Sequence, residues 1–237
     1  MILNLLKLVL LLLAAGFMIS QDERPDPEQM IEKIRLNFST IHDFTAEVEI
    51  EINVDFINIP TKSAKVIYKY PDRLKFKSNS FIMIPRKGIG VLVFELLEGE
   101  YSAIYIGKKI IKERELSEIK VIPLTDRSDI AIATLYIDPN EDLIYYLEAT
   151  TRKSGFFTSE FEYGINSPLP EINRIRFEMD KVGFPLKFLG NVNIEKSKIE
   201  EGVMGEVILR YRHYEINQGL EETLFEEETD GEERNGY

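Results

Sequence analysis

The sequence contains no cysteine and only two histidines, His42 and His213, among its 237 residues. Without cysteine the chain cannot form disulfide bonds, thiolate metal sites or a cysteine nucleophile, and it cannot carry a lipid on an N-terminal cysteine. Histidine is the other common ligand of transition metals, so the sequence offers little to a metal ion. We therefore expect no metal and no other cofactor.

The motifs that mark many enzymes are also missing. There is no Gly-rich phosphate loop, no nucleophile elbow, and no HExxH or GxGxxG sequence. Acidic residues are plentiful, but most fall on the solvent side of the strand patterns described below, where neighbouring glutamates lie roughly 7 Å apart and point to water. The sequence therefore predicts a protein that is not an enzyme.

Positive charge is scarce as well, since 29 Lys and Arg residues are set against 41 Asp and Glu, and the net charge is −12. Nucleic-acid binding draws most of its affinity from Lys and Arg on phosphates, so we expect no nucleic-acid partner. The composition is 44% hydrophobic, which is sufficient for a large core.

The first segment, residues 1–20, is apolar except for Asn4 and Lys7. From Val9 the run is short for a transmembrane helix, which needs about 20 apolar residues. It fits a signal peptide, with Ala14 and Gly16 placed for cleavage after Gly16. The alternative is an uncleaved membrane anchor. Either way, the rest of the chain is expected outside the cytoplasmic membrane.

A helix is predicted to follow. Asp26 is the expected N-cap and Pro27 the first helical residue. Apolar side chains then recur at spacings of three and four, which predicts one buried stripe; its members are Met30, Ile31, Ile34 and Phe38.

From Thr45 the pattern changes to strict alternation, which is typical of strands with one dry and one wet face. In the first strand an apolar row alternates with glutamates. The stretch AKVIYKYPDRLKFKS (64–78) predicts two further strands that turn at Pro71-Asp72. The expected inward rows are Ala46, Val48, Ile50, Ile52 and Val54, then Ala64, Val66, Tyr68 and Tyr70, and then Leu74 and Phe76.

The middle of the chain is less regular. The apolar run FIMIP (81–85) is either a buried strand or part of a flap over an apolar cavity. A hairpin around Glu98-Gly99-Glu100 is expected to join strands at 89–97 and 101–106. Residues 107–130 lose the alternation, and we predict a cover element there with a short helix near 113–120.

The remainder predicts a meander. Candidate strands lie at 130–137, 143–151, 155–163, 172–179, 185–194 and 205–214, separated by turn residues. A sheet of about eleven antiparallel strands must curl or close. The predicted fold class is therefore α+β: a curled antiparallel β half-barrel with a helical or flap-like lid over an apolar cavity. This domain would span 26–219, and a disordered acidic tail would span 220–237.

Several stretches together resemble the LolA-like family of periplasmic lipoprotein carriers, within a superfamily that includes LolB, LppX and RseB. They are MIEKIRLNFSTIHDFTAEV (30–48), VIYKYPDRLKF (66–76), FIMIPRKG (81–88), LYIDPNEDLIYYLEATTRKSG (135–155) and YEINQGLEETLF (214–225). Well-known carriers have an arginine just before the Pro-Asx turn that is tied to lid opening, whereas this chain has Tyr70 there. LolB and LppX relatives carry a lipobox cysteine that this chain lacks, so a soluble or signal-anchored carrier is the better match.

The resemblance implies a monomeric periplasmic carrier that holds lipoprotein acyl chains, or another lipid, inside the half-barrel. It implies an inner-membrane donor complex and an outer-membrane acceptor as partners. The expected lipid-binding residues are Val48, Ile50, Ile52, Val66, Tyr68, Tyr70, Leu74, Phe76, Phe81 and Met83. One alternative is a regulatory module of the RseB type that binds a membrane protein. Another is a structural envelope protein whose inward side chains simply fill the barrel.

Overall fold

The computed structural model describes residues 25–54, 57–58, 60–71, 73–78, 96–97, 99–125, 128–152, 155–165, 167–179 and 203–225. Helix α1 (Pro27–Ser39) leads into β1 (Asp43–Val54), β2 (Ile57–Asn58), β3 (Lys62–Lys69), β4 (Arg73–Lys77), β5 (Tyr101–Ile111), β6 (Arg114–Pro123), β7 (Ile130–Asp138), β8 (Leu143–Thr151), β9 (Gly155–Tyr163), β10 (Pro170–Met179) and β11 (Val203–Ile216), and a 3-10 turn (Glu222–Phe225) follows. The predicted signal segment 1–20, the run 81–85 and the candidate strand 185–194 lie outside these ranges. Of the helices that the described residues form, none has the length and apolar character needed to span a membrane.

Helix α1 begins where the sequence predicts. The Asp26 carboxylate accepts hydrogen bonds from the backbone N–H groups of Glu28 at 2.9 Å and Gln29 at 3.4 Å, which satisfies donors that the first helical turn leaves open. Ile31 and Ile34 are fully enclosed, and burying an isoleucine side chain contributes about 1.5–3 kcal/mol. The predicted apolar stripe is therefore the face that packs on the sheet.

The sheet is a single antiparallel layer. Its path runs β4-β3-β1-β11-β10-β9-β8-β7-β6-β5, and β2 pairs with β1 beside this path, which gives eleven strands. The first and last strands of the chain are neighbours, with Val48 opposite Tyr211 and Ile50 opposite Leu209. This open, curled sheet with a helix packed against it confirms the predicted fold class.

Most of the core lies where α1 covers the sheet, and we call this part the helix-side core. It joins the helix to strands β6 to β10. Its buried members include Met30, Ile31, Ile34, Leu96, Leu97, Ile119, Val121, Leu135, Ile137, Leu147, Phe157, Phe161, Ile175 and Phe177, and Phe38 packs against them.

The helix predicted near 113–120 is wrong. Residues 101–111 and 114–123 form the β5–β6 hairpin instead. Its turn residues, Lys112 and Glu113, have φ values of 48° and 65°, a left-handed conformation that usually selects Gly or Asn. Because neither residue signals a turn, the two strands look like one irregular segment.

The hairpin predicted around Glu98-Gly99-Glu100 is also wrong for the residues that the structure describes there. Leu96 and Leu97 are helical rather than extended, and both are buried in the helix-side core. Strand β5 pairs with β6. The apolar pair therefore serves as a packing element next to the sheet.

Gly205 in β11 has a packing role that can be tested. A Cβ atom at this position would overlap the ring of Phe177, which is 2% exposed and cannot move into solvent. We expect Gly205→Ala to lower the free energy of unfolding by about 1–3 kcal/mol, because overpacking forces side chains off their preferred rotamers. Urea unfolding followed by circular dichroism would measure it.

The double variant Gly205→Ala/Phe177→Leu is the matched control for this overlap. Leucine removes the ring atoms that collide, so the added methyl group should cost less in the Phe177→Leu background than in the native one. An equal cost in both backgrounds would contradict the assigned contact.

Candidate functional site

A second apolar cluster lies on β1, β3, β4 and β11, beside the helix-side core. We call it the apolar wall. Its buried members are Val48, Ile50, Ala64 and Val66, and its partly buried members are Phe44, Ile52, Leu74, Phe76, Val207, Leu209 and Tyr211. Most of the predicted lipid-binding residues therefore come together, whereas Phe81 and Met83 lie outside the described residues.

Strand register places these side chains on one face. In β1 and β3, Val48 pairs with Ala64 and Phe44 with Tyr68. In β3 and β4, Val66 pairs with Phe76. Directly paired residues project from the same side of a sheet, about 4.5–5.5 Å apart at Cβ. The alternation read from the sequence therefore assembles a continuous apolar surface.

An aromatic group borders the wall near the β3–β4 turn. The rings of Phe44 and Tyr68 stack with centroids 5.1 Å apart, and Tyr214 meets Phe44 edge-on at 5.5 Å. The Tyr68 hydroxyl donates to the Pro71 carbonyl at 3.1 Å. Tyr70 lies in the turn itself and is 41% exposed, so it is the least enclosed of the predicted lipid-binding residues that the structure describes.

The wall and the helix-side core divide the inner face of the sheet. Ile52, Val207 and Leu209 pack against both clusters, so the apolar surface is continuous from one to the other. Within the described ranges, no helical residue belongs to the wall. Among the described residues, helix α1 thus packs on the helix-side core and not on the wall.

Sequence reasoning missed the contribution of β11 to the wall. Val207, Leu209 and Tyr211 share one parity in a segment where a strand is predicted, but the apolar Ile208 between the first two hides the alternation. Its place next to β1 depends on pairing between the two ends of the chain, which no local pattern reveals. The one local signal for these three residues is that they are every second residue of the strand and therefore point to the same face.

Charge is kept on the opposite face. Glu51 pairs with Arg210 at 3.3 Å, Glu49 with Arg212 at 3.4 Å, and Glu47 with His213 Nδ1 at 3.0 Å. A hydrogen bond from Asn53, together with the Arg210 guanidinium, lowers the pKa of Glu51. The glutamate row is thus a solvated outer ladder, as the alternation predicts.

The polar groups along the inner face are neutral. Burial raises the pKa values of Tyr163, Tyr211 and Tyr214 above the ordinary value for a phenol. They therefore remain protonated donors at physiological pH. The clusters on this face consist of hydrophobic side chains, so the surface suits an apolar ligand.

No protein-family model and no curated protein matches the sequence. Among solved structures, a DUF1329 family protein from Desulfovibrio piger matches with a TM-score of 0.57 and 11% identity, over 86% of this chain and 98% of that chain. A LolA superfamily protein from Nitrosomonas europaea matches with a TM-score of 0.52 and 10% identity, over 85% of this chain and 98% of that chain. The chain has a LolA-like fold. The likeness lies in the path of the backbone: an open, curled antiparallel sheet with a helix against its inner face.

The LolA-like sheet carries one more element, which we call the C-terminal strap (residues 217–225). Asp43 holds its start, because the carboxylate accepts hydrogen bonds from the N–H groups of Gln218, Gly219 and Leu220 at 2.8, 2.9 and 3.2 Å. The sequence assigns 220–237 to a disordered acidic tail; residues 220–225 instead contact the sheet, and 226–237 lie outside the described residues.

The strap continues onto the outer face of the β3–β4 hairpin. Lys69 Nζ donates to the Leu220 carbonyl at 2.7 Å. The Glu222 carboxylate lies 2.9 Å from Lys69 Nζ and 2.9 Å from a guanidinium nitrogen of Arg73, and Arg73 lies over the Phe225 ring. The strap thereby joins the hairpin that supplies part of the apolar wall to the junction of β1 and β11.

Acidification is expected to weaken this attachment. A hydrogen bond from Lys69, with the nearby charge of Arg73, lowers the pKa of Glu222 in the folded protein. Such a carboxylate stabilises the fold above its unfolded pKa of about 4.3 and stops doing so as the pH falls through its folded value. The stability difference between the native protein and Glu222→Gln should therefore be present at neutral pH, begin to shrink as the pH falls below about 4.3, and disappear below the pKa of Glu222 in the folded protein.

Urea unfolding of both proteins at a series of pH values would measure this difference. Glu221→Gln is the matched control, because no ion pair of Glu221 is found among the described residues. A difference for Glu222→Gln that grows toward acid would contradict the assignment.

Proposed function

We propose that this protein is a non-enzymatic carrier that binds lipoprotein acyl chains, or another lipid, against the apolar wall and moves them through the periplasm toward the outer membrane. The wall is the observation that supports the proposal most strongly. It is an apolar surface contributed by four strands on the inner face of an open sheet, and α1 packs beside it. Helix α1 packs on the helix-side core rather than on the wall, which supports the wall as the surface that an apolar ligand contacts.

Affinity in such a site comes from apolar burial. Each buried methylene contributes about 0.8 kcal/mol, so ten of them give about 8 kcal/mol, which corresponds to a micromolar dissociation constant. No charged contact is needed, in keeping with the hydrophobic side chains of the wall. We assign the binding surface to Val48, Ile50, Ile52, Val66, Tyr68, Leu74 and Phe76, with Tyr70 at its rim, and we include Phe81 and Met83 from the sequence prediction.

A carrier that moves lipid between two membranes requires a partner at each membrane. We propose an inner-membrane complex that loads the protein, an outer-membrane acceptor that unloads it, and a monomeric carrier between them. The outer face, with its paired Glu and Arg side chains, remains hydrated while the inner face holds the lipid.

Native mass spectrometry of protein purified without detergent tests the proposal. We expect bound lipid in the purified protein, or one-to-one uptake of an added triacylated lipopeptide. Protein that contains no lipid and takes up none would overturn it. If a membrane-bound anti-sigma factor is instead the main protein recovered with it from membranes, the regulatory alternative replaces the carrier.

A further inference from the structure

Three polar side chains cross the inner face where the helix-side core meets the apolar wall. Ser159 on β9, Asn173 on β10 and Tyr211 on β11 all point inward, since their neighbours of the same parity, such as Phe161, Ile175 and Leu209, belong to the apolar clusters. We call them the polar diagonal. Ser159 is 0% exposed and Asn173 is 3% exposed, so this is an unusually dry place for an amide.

Strand register defines the diagonal. Ser159 pairs with Ile175, which is two residues from Asn173. Asn173 in turn pairs with Leu209, which is two residues from Tyr211. Diagonal neighbours of this kind lie about 7–8 Å apart in the backbone, within reach of longer side chains. Tyr211 also pairs directly with Val48, which places the diagonal against the apolar wall.

The hydrogen bond within the polar diagonal involves the oxygen of the Asn173 side-chain amide but not its nitrogen. The Ser159 hydroxyl donates to Asn173 Oδ1 at 2.6 Å. This bond fixes the orientation of the amide and leaves Nδ2 as the remaining polar atom, for which no hydrogen-bond partner is found among the described residues. In the same part of the chain, no fully enclosed side-chain nitrogen or oxygen lacks a partner. The Asn173 amide nitrogen is therefore not completely enclosed.

The hydroxyl of Tyr211 differs from those of two neighbouring tyrosines in its hydrogen bonding. Tyr163 donates to the Ile144 carbonyl and Tyr214 to the Pro170 carbonyl, each at 2.7 Å. The Tyr211 hydroxyl makes no such bond with the described residues, although its ring packs against the wall and stacks on Tyr214. A donor in apolar surroundings gains about 0.5–1.5 kcal/mol net when it finds an acceptor.

We propose that Asn173 Nδ2 and the Tyr211 hydroxyl form a polar subsite that donates hydrogen bonds to the carbonyl oxygen of an acyl ester or amide, at the point where the hydrocarbon chain joins its headgroup. The inference rests on the proposed function and specifies the ligand class. Both donors are neutral, and the neighbouring side chains of the same parity, such as Phe161, Ile175 and Leu209, are apolar. The subsite therefore favours an uncharged ester or amide over a free carboxylate, which would be desolvated without a counter-ion.

The test compares two ligands of the same chain length, hexadecane and methyl palmitate, by displacement of a fluorescent acyl probe. We expect Tyr211→Phe to lower the preference for methyl palmitate over hexadecane, measured as the ratio of the two affinities, about three- to tenfold. The double variant Ser159→Ala/Asn173→Leu, which removes the polar pair together, should behave in the same way. Thermal unfolding shows whether each variant remains folded.

Tyr163→Phe is the matched control, since its hydroxyl is bonded to the backbone; it should cost stability without changing the preference for the ester. An unchanged ratio of the two affinities in Tyr211→Phe, such as an equal loss for both ligands, would overturn the subsite while leaving the carrier function intact. If the native protein binds neither ligand, the carrier function and the subsite both fail.

Discussion

Replacing Asp43 with alanine is expected to lower the free energy of unfolding by about 2–4 kcal/mol. Asp43 is 4% exposed, and its carboxylate is the acceptor for three consecutive backbone donors of the C-terminal strap. Hydrogen bonds to a charged group contribute about 1.5–3 kcal/mol each, and donors left without an acceptor carry a further desolvation cost unless the strap moves into water. Urea unfolding at neutral pH would measure the loss.

Asp43→Asn is the matched variant, because it keeps the shape and one carbonyl oxygen. We expect it to lose about half as much stability as the alanine variant. Hydrogen exchange locates the effect: the amides of Gln218, Gly219 and Leu220 should exchange faster in Asp43→Ala, while those of β8 should not change. A loss below about 0.5 kcal/mol, which is the scale of an ordinary surface substitution, would show that the strap is not anchored by this carboxylate.

Introducing a carboxylate into the apolar wall is expected to weaken binding of hexadecane at least tenfold. Leu74 suits this test because it is only partly buried and packs against the wall, so Leu74→Glu can turn its charge to water in the unliganded protein. A bound chain would cover that charge, and desolvating an unpaired carboxylate costs more than the 1.4 kcal/mol that a tenfold change requires. Probe displacement would measure the affinity.

Lys75→Glu is the control, since it changes the charge of the neighbouring residue on the opposite face of the same strand. It should bind hexadecane like the native protein. Leu74→Glu should weaken hexadecane and methyl palmitate alike, in contrast to Tyr211→Phe, because the wall contacts the hydrocarbon chain rather than its carbonyl. Equal affinities for Leu74→Glu and Lys75→Glu would place the ligand elsewhere.

The sequence predicted those strands whose pattern of apolar and polar residues runs without interruption from one turn to the next. Residues 143–151 and 155–163 are strands with the boundaries that the sequence indicates, because each is bounded by a turn rich in Gly, Asn or Ser. The two-faced strand from Thr45 was recognisable for a related reason: glutamates and aliphatic residues separate by parity, and a half-buried strand requires that separation. Local chemistry was sufficient in both cases.

The rest depends on contacts that local sequence does not encode. The Lys112-Glu113 turn uses left-handed conformations at residues that do not favour them. The strap is acidic and would be expected to stay in water, yet a buried carboxylate from the other end of the chain captures its backbone. Asn173 lies within a predicted strand, and its hydrogen bond with Ser159 becomes apparent only when β9 and β10 are paired. The apolar rows of the wall were visible, whereas the polar subsite beside them was not.

The neighbouring positions of β1 and β11 have a consequence for how the protein folds. The hairpins of the sheet join strands that are close in sequence, so their loops close at low entropic cost. The β1–β11 seam instead joins residues as far apart as Thr45 and Glu215, which are 170 positions from each other. Contacts over such distances slow folding, because loop-closure entropy is lost before the contact is made. We therefore expect the β3–β4 hairpin and the meander of β5 to β10 to form first and the seam to close last, with the strap fastening over it.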